Sequence, residues 1–185
     1  QESPESTVVT LDDDIISPPN LLERLTAAHE AWPDSVIGMR THLIATEDGE
    51  PAPYKDWVKE QDEIRDLPSQ RIIATGSGGV LYPAGCLDAR AFDPEGIVKT
   101  CLRADDLWLK VMEAAKGTKT VCPSGGYGLH YAAGTQEVAL YHDNIDKAGN
   151  DAQLRSIIEY LSPLMPNVSF VKLVDDEGDE EESAS

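Results

Sequence analysis

Basic residues are scarce in this chain: 15 Lys and Arg stand against 34 Asp and Glu, for a net charge of −19. That balance argues against nucleic acid as a partner, because phosphate contacts need clustered Lys and Arg. It argues equally against adsorption to an anionic lipid surface. Cysteine is also sparse. Cys86, Cys101 and Cys122 are too few for a disulfide scaffold, and their odd number favours reduced thiols buried as small hydrophobes. No apolar run approaches the roughly 20 residues of a membrane span, and no signal peptide is visible, so the expected location is cytoplasmic. The four histidines are scattered without the spacing of a zinc site. No serine sits in a nucleophile elbow, and no Cys/His pairing suggests itself.

What remains is ordinary for a globular protein: 185 residues, 41% apolar and 26% charged, enough to bury a core as one domain. Residues 1–6 are polar and read as a loose lead-in. Residues 7–174 read as the domain. Residues 175–185 carry seven acids and no base, the composition of an unstructured tail. Within the domain, residues 7–11 and 35–39 lack alternation and predict short buried strands. Ser17 and Pro18 suit the N-cap and first position of a helix whose Leu21, Leu22, Leu25, Ala28 and Trp32 share a face. Residues 46–69 are polar and proline-rich, predicting a long surface excursion with a helix near 55–66. Strands are expected at 71–74, 80–83, 118–122 and 168–174. A helix is expected over 104–116, with Gly117 as its stop. Another should run from the capping box Asn150-Asp151-Ala152-Gln153 to about Leu161. Strands and helices that alternate in this way imply an α/β mixed sheet flanked by helices.

Three stretches carry chemistry. Asp12, Asp13 and Asp14 follow the first strand, and alternate side chains of an extended segment share a face. Converging carboxylates repel one another, and a hard divalent cation relieves the repulsion; the bland reading is a turn that caps the next helix. Asp105 and Asp106 open the helix at 104. They either stabilise its dipole or supply a rigidly held general base. Between them Gly76, Gly78 and Gly79 form either a tight turn or a close approach to a ligand. His142 follows a strand-like run and is a further candidate metal ligand.

Taken in order, TVVTLDDDIISPPNLLERL, TGSGGVLYPAGCLD, ADDLWLK and NDAQL resemble bacterial glycosyltransferases of the GT-A type, enzymes of cell-surface polysaccharide assembly. The likeness spans most of residues 7–161. It implies a GT-A-like, Rossmann-like sheet, a nucleotide-sugar donor, a saccharide acceptor and a Mn2+ or Mg2+ ion. By the same resemblance Asp14, Asp12 and His142 would hold the metal, and Asp12, Asp13, Gly78 and Gly79 would border the donor. Asp106, ahead of Asp105, would be the catalytic base, with Trp108 beside the acceptor. GT-A domains place a nucleotide-binding half before the DxD strand, so the resemblance implies an incomplete N-terminus or a partner chain that supplies this half. Two other readings use the same residues: a non-enzymatic glycan- or partner-binding module of that ancestry, and a Mg2+-dependent phosphohydrolase.

Overall fold

The computed structural model describes residues 5–59, 64–125, 149–165, 170 and 174. In chain order these form β1 (Val8–Thr10), α1 (Leu21–Ala31), β2 (Val36–Gly38), β3 (Thr41–Leu43), β4 (Thr46–Glu47), β5 (Glu50–Pro51) and β6 (Val58–Lys59). Then follow β7 (Ile72–Ala74), β8 (Val80–Tyr82), α2 (Pro94–Thr100), α3 (Asp105–Lys116), β9 (Thr120–Val121) and α4 (Gly149–Leu161). The architecture is mixed α/β, as the alternation of apolar runs and helical faces predicts.

The runs behind β2, β7 and β8 become strands buried on both faces. One sheet has the order β1-β8-β2-β9, with β8 antiparallel to β1 and β2, and β9 parallel to β2. Ile37 and Leu81 point to the side covered by Leu21, Leu25 and Ala28 of α1. Val36, Val80 and Tyr82 point to the other side, where Leu109 of α3 packs. A second antiparallel sheet, β6-β3-β7, continues from the first. The handover falls at Arg40 and at 75–79: Met39 N–H donates to Gly79 O, and Thr75 N–H donates to Arg40 O. The backbones touch here, since a Cβ on Gly78 would lie 2.5 Å from Arg40 Cβ and 2.6 Å from its N. Only glycine allows that approach.

α3 runs through the largest core with almost every side buried, and Gly117 closes it in the left-handed region at φ 81°. α2 was not foreseen from the sequence; Pro94 starts it, and the Asp93 carboxylate accepts from Glu95 and Gly96 N–H at 3.1 Å each.

Several expectations are corrected. β1 is an exposed edge strand rather than a buried one, with Val8 50% and Leu11 52% accessible. α1 begins at Leu21, not at Ser17-Pro18; Pro18 instead opens a turn closed by Leu21 N–H to Pro18 O, and Leu22 faces solvent. Over 55–59 and 64–66 the only helical residues belong to a single 3-10 turn, Tyr54–Asp56. Instead a β4–β5 hairpin turns at Asp48-Gly49, both at positive φ, and β6 pairs with β3. Tyr54 and Trp57 tie this segment into the core, so it is no mere surface excursion. The Asn150–Gln153 box is not a cap. Asp151 accepts instead from Tyr54 N–H at 2.8 Å, and Gln153 accepts from Arg103 N–H at 3.1 Å. Phe170 is helical and its carbonyl accepts from Val174 N–H, which is not the pattern of the strand expected there. The acidic tail, Gly126 and Gly128 lie outside the described residues.

Candidate functional site

Segments far apart in sequence line one cleft of about 290 Å³ at the handover between the sheets. Asp12 comes from the turn after β1. Thr75, Gly76 and Ser77 come from the β7–β8 connection. Asp105 and Asp106 come from the first turn of α3. The two acidic runs, about 90 positions apart, therefore face the same space.

Their electrostatics differ. Asp106 is half-buried and accepts the Leu107 N–H at 2.9 Å. Burial first, then the neighbouring charge of Asp105, and more weakly that of Asp12, push its pKa up to about 7; the Leu107 N–H works against them. Asp12 is exposed as a whole residue, but its carboxyl turns in over Gly76, where an added Cβ would lie 3.1 Å from Oδ1. Its pKa is raised, by partial burial first and then by Asp14, Asp105 and Asp13. Gly76 thus has a steric reason to be glycine that concerns Asp12 directly.

Arg40, Lys59 and Arg103 share this cleft with the acids. Arg40 Nη1 donates to Thr75 Oγ1 at 3.0 Å and to Ser77 Oγ at 3.3 Å, which fixes its guanidinium beside the glycine turn. His42 is 2% exposed, its Nδ1 lies 2.8 Å from Thr41 O, and its ring meets Tyr54 edge-on. Because a carbonyl can only accept, Nδ1 carries the proton and Nε2 is the other face of the ring. Tyr54 holds its proton well above the usual range, through burial first and the nearby Asp106 charge second, while Arg40 opposes both.

The remaining expected site residues fall elsewhere. Asp13 is exposed and Asp14 half-buried; neither lines the cleft, though both act on Asp12. Gly78 packs on Arg40, and Gly79 packs on Leu11 and Leu21 at φ 84°; Gly76 and Ser77 face the cleft in their place. Trp108 is a core residue, 1% exposed, with Nε1 donating to Ala91 O at 3.1 Å, so it is not available to an acceptor. His142 lies outside the described residues. The three cysteines are free and buried, as expected of small hydrophobes.

Arg40, His42, Tyr54, Lys59, Arg103 and Asn150 were missed as cleft residues. Their one sequence cue is weak: Arg40-Thr41-His42 is a polar break straight after the apolar run 36–39. Among the described residues no three His, Cys, Asp or Glu side chains form a metal-binding group. The residues present still fit a hard cation of the magnesium class, which binds through one or two carboxylates and takes water and phosphate oxygens for its other positions. The repulsion gathered on Asp12 is what such an ion would relieve. No helix among the described residues is long and apolar enough to cross a membrane. No known protein family, curated protein or solved structure matches the chain.

Proposed function

We propose that this chain is the catalytic portion of a GT-A-like glycosyltransferase, moving a sugar from a nucleotide-sugar donor to a saccharide hydroxyl. The observation that carries the reading is the convergence of Asp12 and Asp106 on one cleft that also holds cationic side chains. Sugar transfer with inversion needs two things, a base for the acceptor hydroxyl and positive charge for the departing diphosphate, and it requires no covalent nucleophile. The cleft contains residues suited to each need.

Asp106 is the base. A carboxylate that titrates near 7 is matched to proton transfer at neutral pH, unlike an ordinary aspartate, which is too weak a base. As the acceptor oxygen attacks the anomeric carbon, its proton passes to Asp106. The bond from that carbon to the diphosphate oxygen breaks, and the electron pair leaves with the diphosphate. Arg40, braced by Thr75 and Ser77, would meet phosphate oxygens. Asp12, with Asp14 behind it, would hold a Mn2+ or Mg2+ ion, which when bound supplies charge against the leaving group. Tyr54, protonated throughout the working range, would donate a hydrogen bond to a sugar hydroxyl.

The test is calorimetric titration of Mn2+ with UDP into the full chain and into Asp12→Ala, followed by a screen of nucleotide sugars for nucleotide release. Saturable binding that Asp12→Ala abolishes, with release that needs an acceptor, is the expected result. Equal binding by both proteins would discard the donor site. Release of inorganic phosphate from simple monoesters would point to hydrolysis instead.

A further inference from the structure

Two charged side chains are buried where α3 crosses the sheet. Lys110 is 1% exposed and Glu113 is 2% exposed. Lys110 Nζ donates to Glu113 Oε2 at 3.2 Å and to Thr120 Oγ1 at 3.4 Å, and Thr120 Oγ1 donates to the same Glu113 oxygen at 2.8 Å. Thr120 belongs to β9 and is fully buried. The result is a closed triangle of polar groups between helix and strand. In sequence it lies on one stripe with the cleft carboxylate, for Asp106, Lys110 and Glu113 stand at i, i+4 and i+7.

A buried ion pair is a poor source of stability, since desolvation offsets its attraction; apolar residues of the same size often do as well or better. What it can supply is uniqueness. The rest of α3 is gripped by Leu107, Val111 and Met112, apolar contacts that tolerate a small roll of the helix, and by Trp108, whose Nε1 also donates to Ala91 O. The triangle does not tolerate one, because its hydrogen bonds close only at one rotation against Thr120. That rotation also decides where the first turn of the helix aims its side chains.

We propose that Lys110 and Glu113 are positioning residues whose lock on Thr120 sets the rotation of α3 that turns Asp106 into the cleft. Tyr82 of β8, on the sheet face where Leu109 of α3 packs, feels the charges at both ends of the stripe. Its proton is held on by burial first, then by the charge of Glu113, then by those of Asp106 and Asp105. The titratable groups that interact with Asp106 are Asp105 on its own helix, Asp12 from the β1 turn, Tyr54 from the segment before β6, Tyr82 from β8 and Cys101 after α2, while Arg40, Lys59 and Arg103 line the same cleft. The consequence for chemistry is large, because displacing a reacting group by about 1 Å costs on the order of 100-fold in rate.

The inference rests on the reading of Asp106 as the base, but its test does not need a substrate. The Asp106 carboxyl is titrated by 13C NMR in the full chain without added metal, in wild type, in Lys110→Met/Glu113→Leu and in Thr120→Val. The double substitution leaves the net charge unchanged, and neither Lys110 nor Glu113 is among the charges that shift Asp106, so a moved midpoint reports a moved carboxyl. The expected result is a double variant that stays folded, whose Asp106 midpoint falls by about one pH unit as the group gains water. Transfer should then drop on the order of tenfold or more. A folded double variant with an unmoved midpoint and unchanged transfer overturns the proposal, as does a lowered melting temperature with an unmoved midpoint. If the double variant does not fold, Thr120→Val decides on the same midpoint. A shifted midpoint in a protein that transfers from no nucleotide sugar would discard the glycosyltransferase reading and keep the positioning role.

Discussion

Two acidic runs of nearly equal composition end in opposite physical states. Asp12–Asp14 follows an edge strand whose apolar residues are half in water, and only Asp12 turns into the cleft. Asp105–Asp106 opens a helix buried on almost every side, and Asp106 is carried inward with it. The first run keeps access to water, which suits exchange of a hydrated cation and a phosphate. In the second Asp105 stays exposed, while Asp106 is half-buried and its carboxyl is pushed up in pKa by that burial, which suits proton transfer. What a carboxylate can do is thus set less by its neighbours in sequence than by the rigidity and depth of the element beneath it.

The sharpest way to break this contrast is Asp106→Asn. It keeps shape and removes the base, so turnover should fall by about 10²–10⁴-fold while the thermal midpoint is unchanged or higher. The linked stability effect has a definite sign. The folded-state pKa of Asp106 lies above its unfolded value, so the native state binds the proton more tightly. Its contribution is present at low pH and is lost as pH rises from about 4 to about 7. Melting curves of wild type and Asp106→Asn should therefore diverge across that window in favour of the variant, and identical pH profiles would contradict the burial of this group. Transfer should show the opposite trend and rise as Asp106 ionises.

Next in size is Gly78→Ala. Its Cβ would meet the Arg40 backbone nitrogen at 2.6 Å, which cannot yield cheaply, so a loss of about 1–3 kcal/mol in urea unfolding is expected. Gly76→Ala separates the two runs more finely. The new Cβ meets the Asp12 carboxyl at 3.1 Å, so Mn2+ affinity should fall several-fold while the Asp106 midpoint, set mainly by burial and Asp105, moves little. The smallest effect belongs to Asp13→Asn. Asp13 is exposed and outside the cleft lining, and a stability change within about 0.5 kcal/mol is expected.

Legibility followed the range of the physics. The strands β2, β7, β8 and β9 and the helices α3 and α4 were visible because burial on both faces writes a local apolar run and a helical core face writes a period. Gly117 was visible as a stop because only the left-handed conformation explains glycine there. The start of α1 was misplaced, since Ser17-Pro18 make a good cap and an equally good turn. The segment 46–59 looked like a polar excursion because its two anchors, Tyr54 and Trp57, are isolated aromatics with no periodic partner. At the site, both acidic runs and the glycine turn were found, but the basic and aromatic wall was not, because Arg40, Lys59 and Arg103 carry no mutual spacing.

By itself, then, the sequence determined the class of the fold, the extents of α3 and α4 and the acidic elements that could do chemistry. These follow from composition and short-range period. The tertiary structure alone decided that Asp12 and Asp106 share a cleft, that Trp108 serves the core and not a ligand, and that Lys110 and Glu113 are buried against Thr120. Each of these depends on contacts between segments far apart along the chain. Desolvation and Coulomb energy there are set by distance in space, which no local pattern encodes.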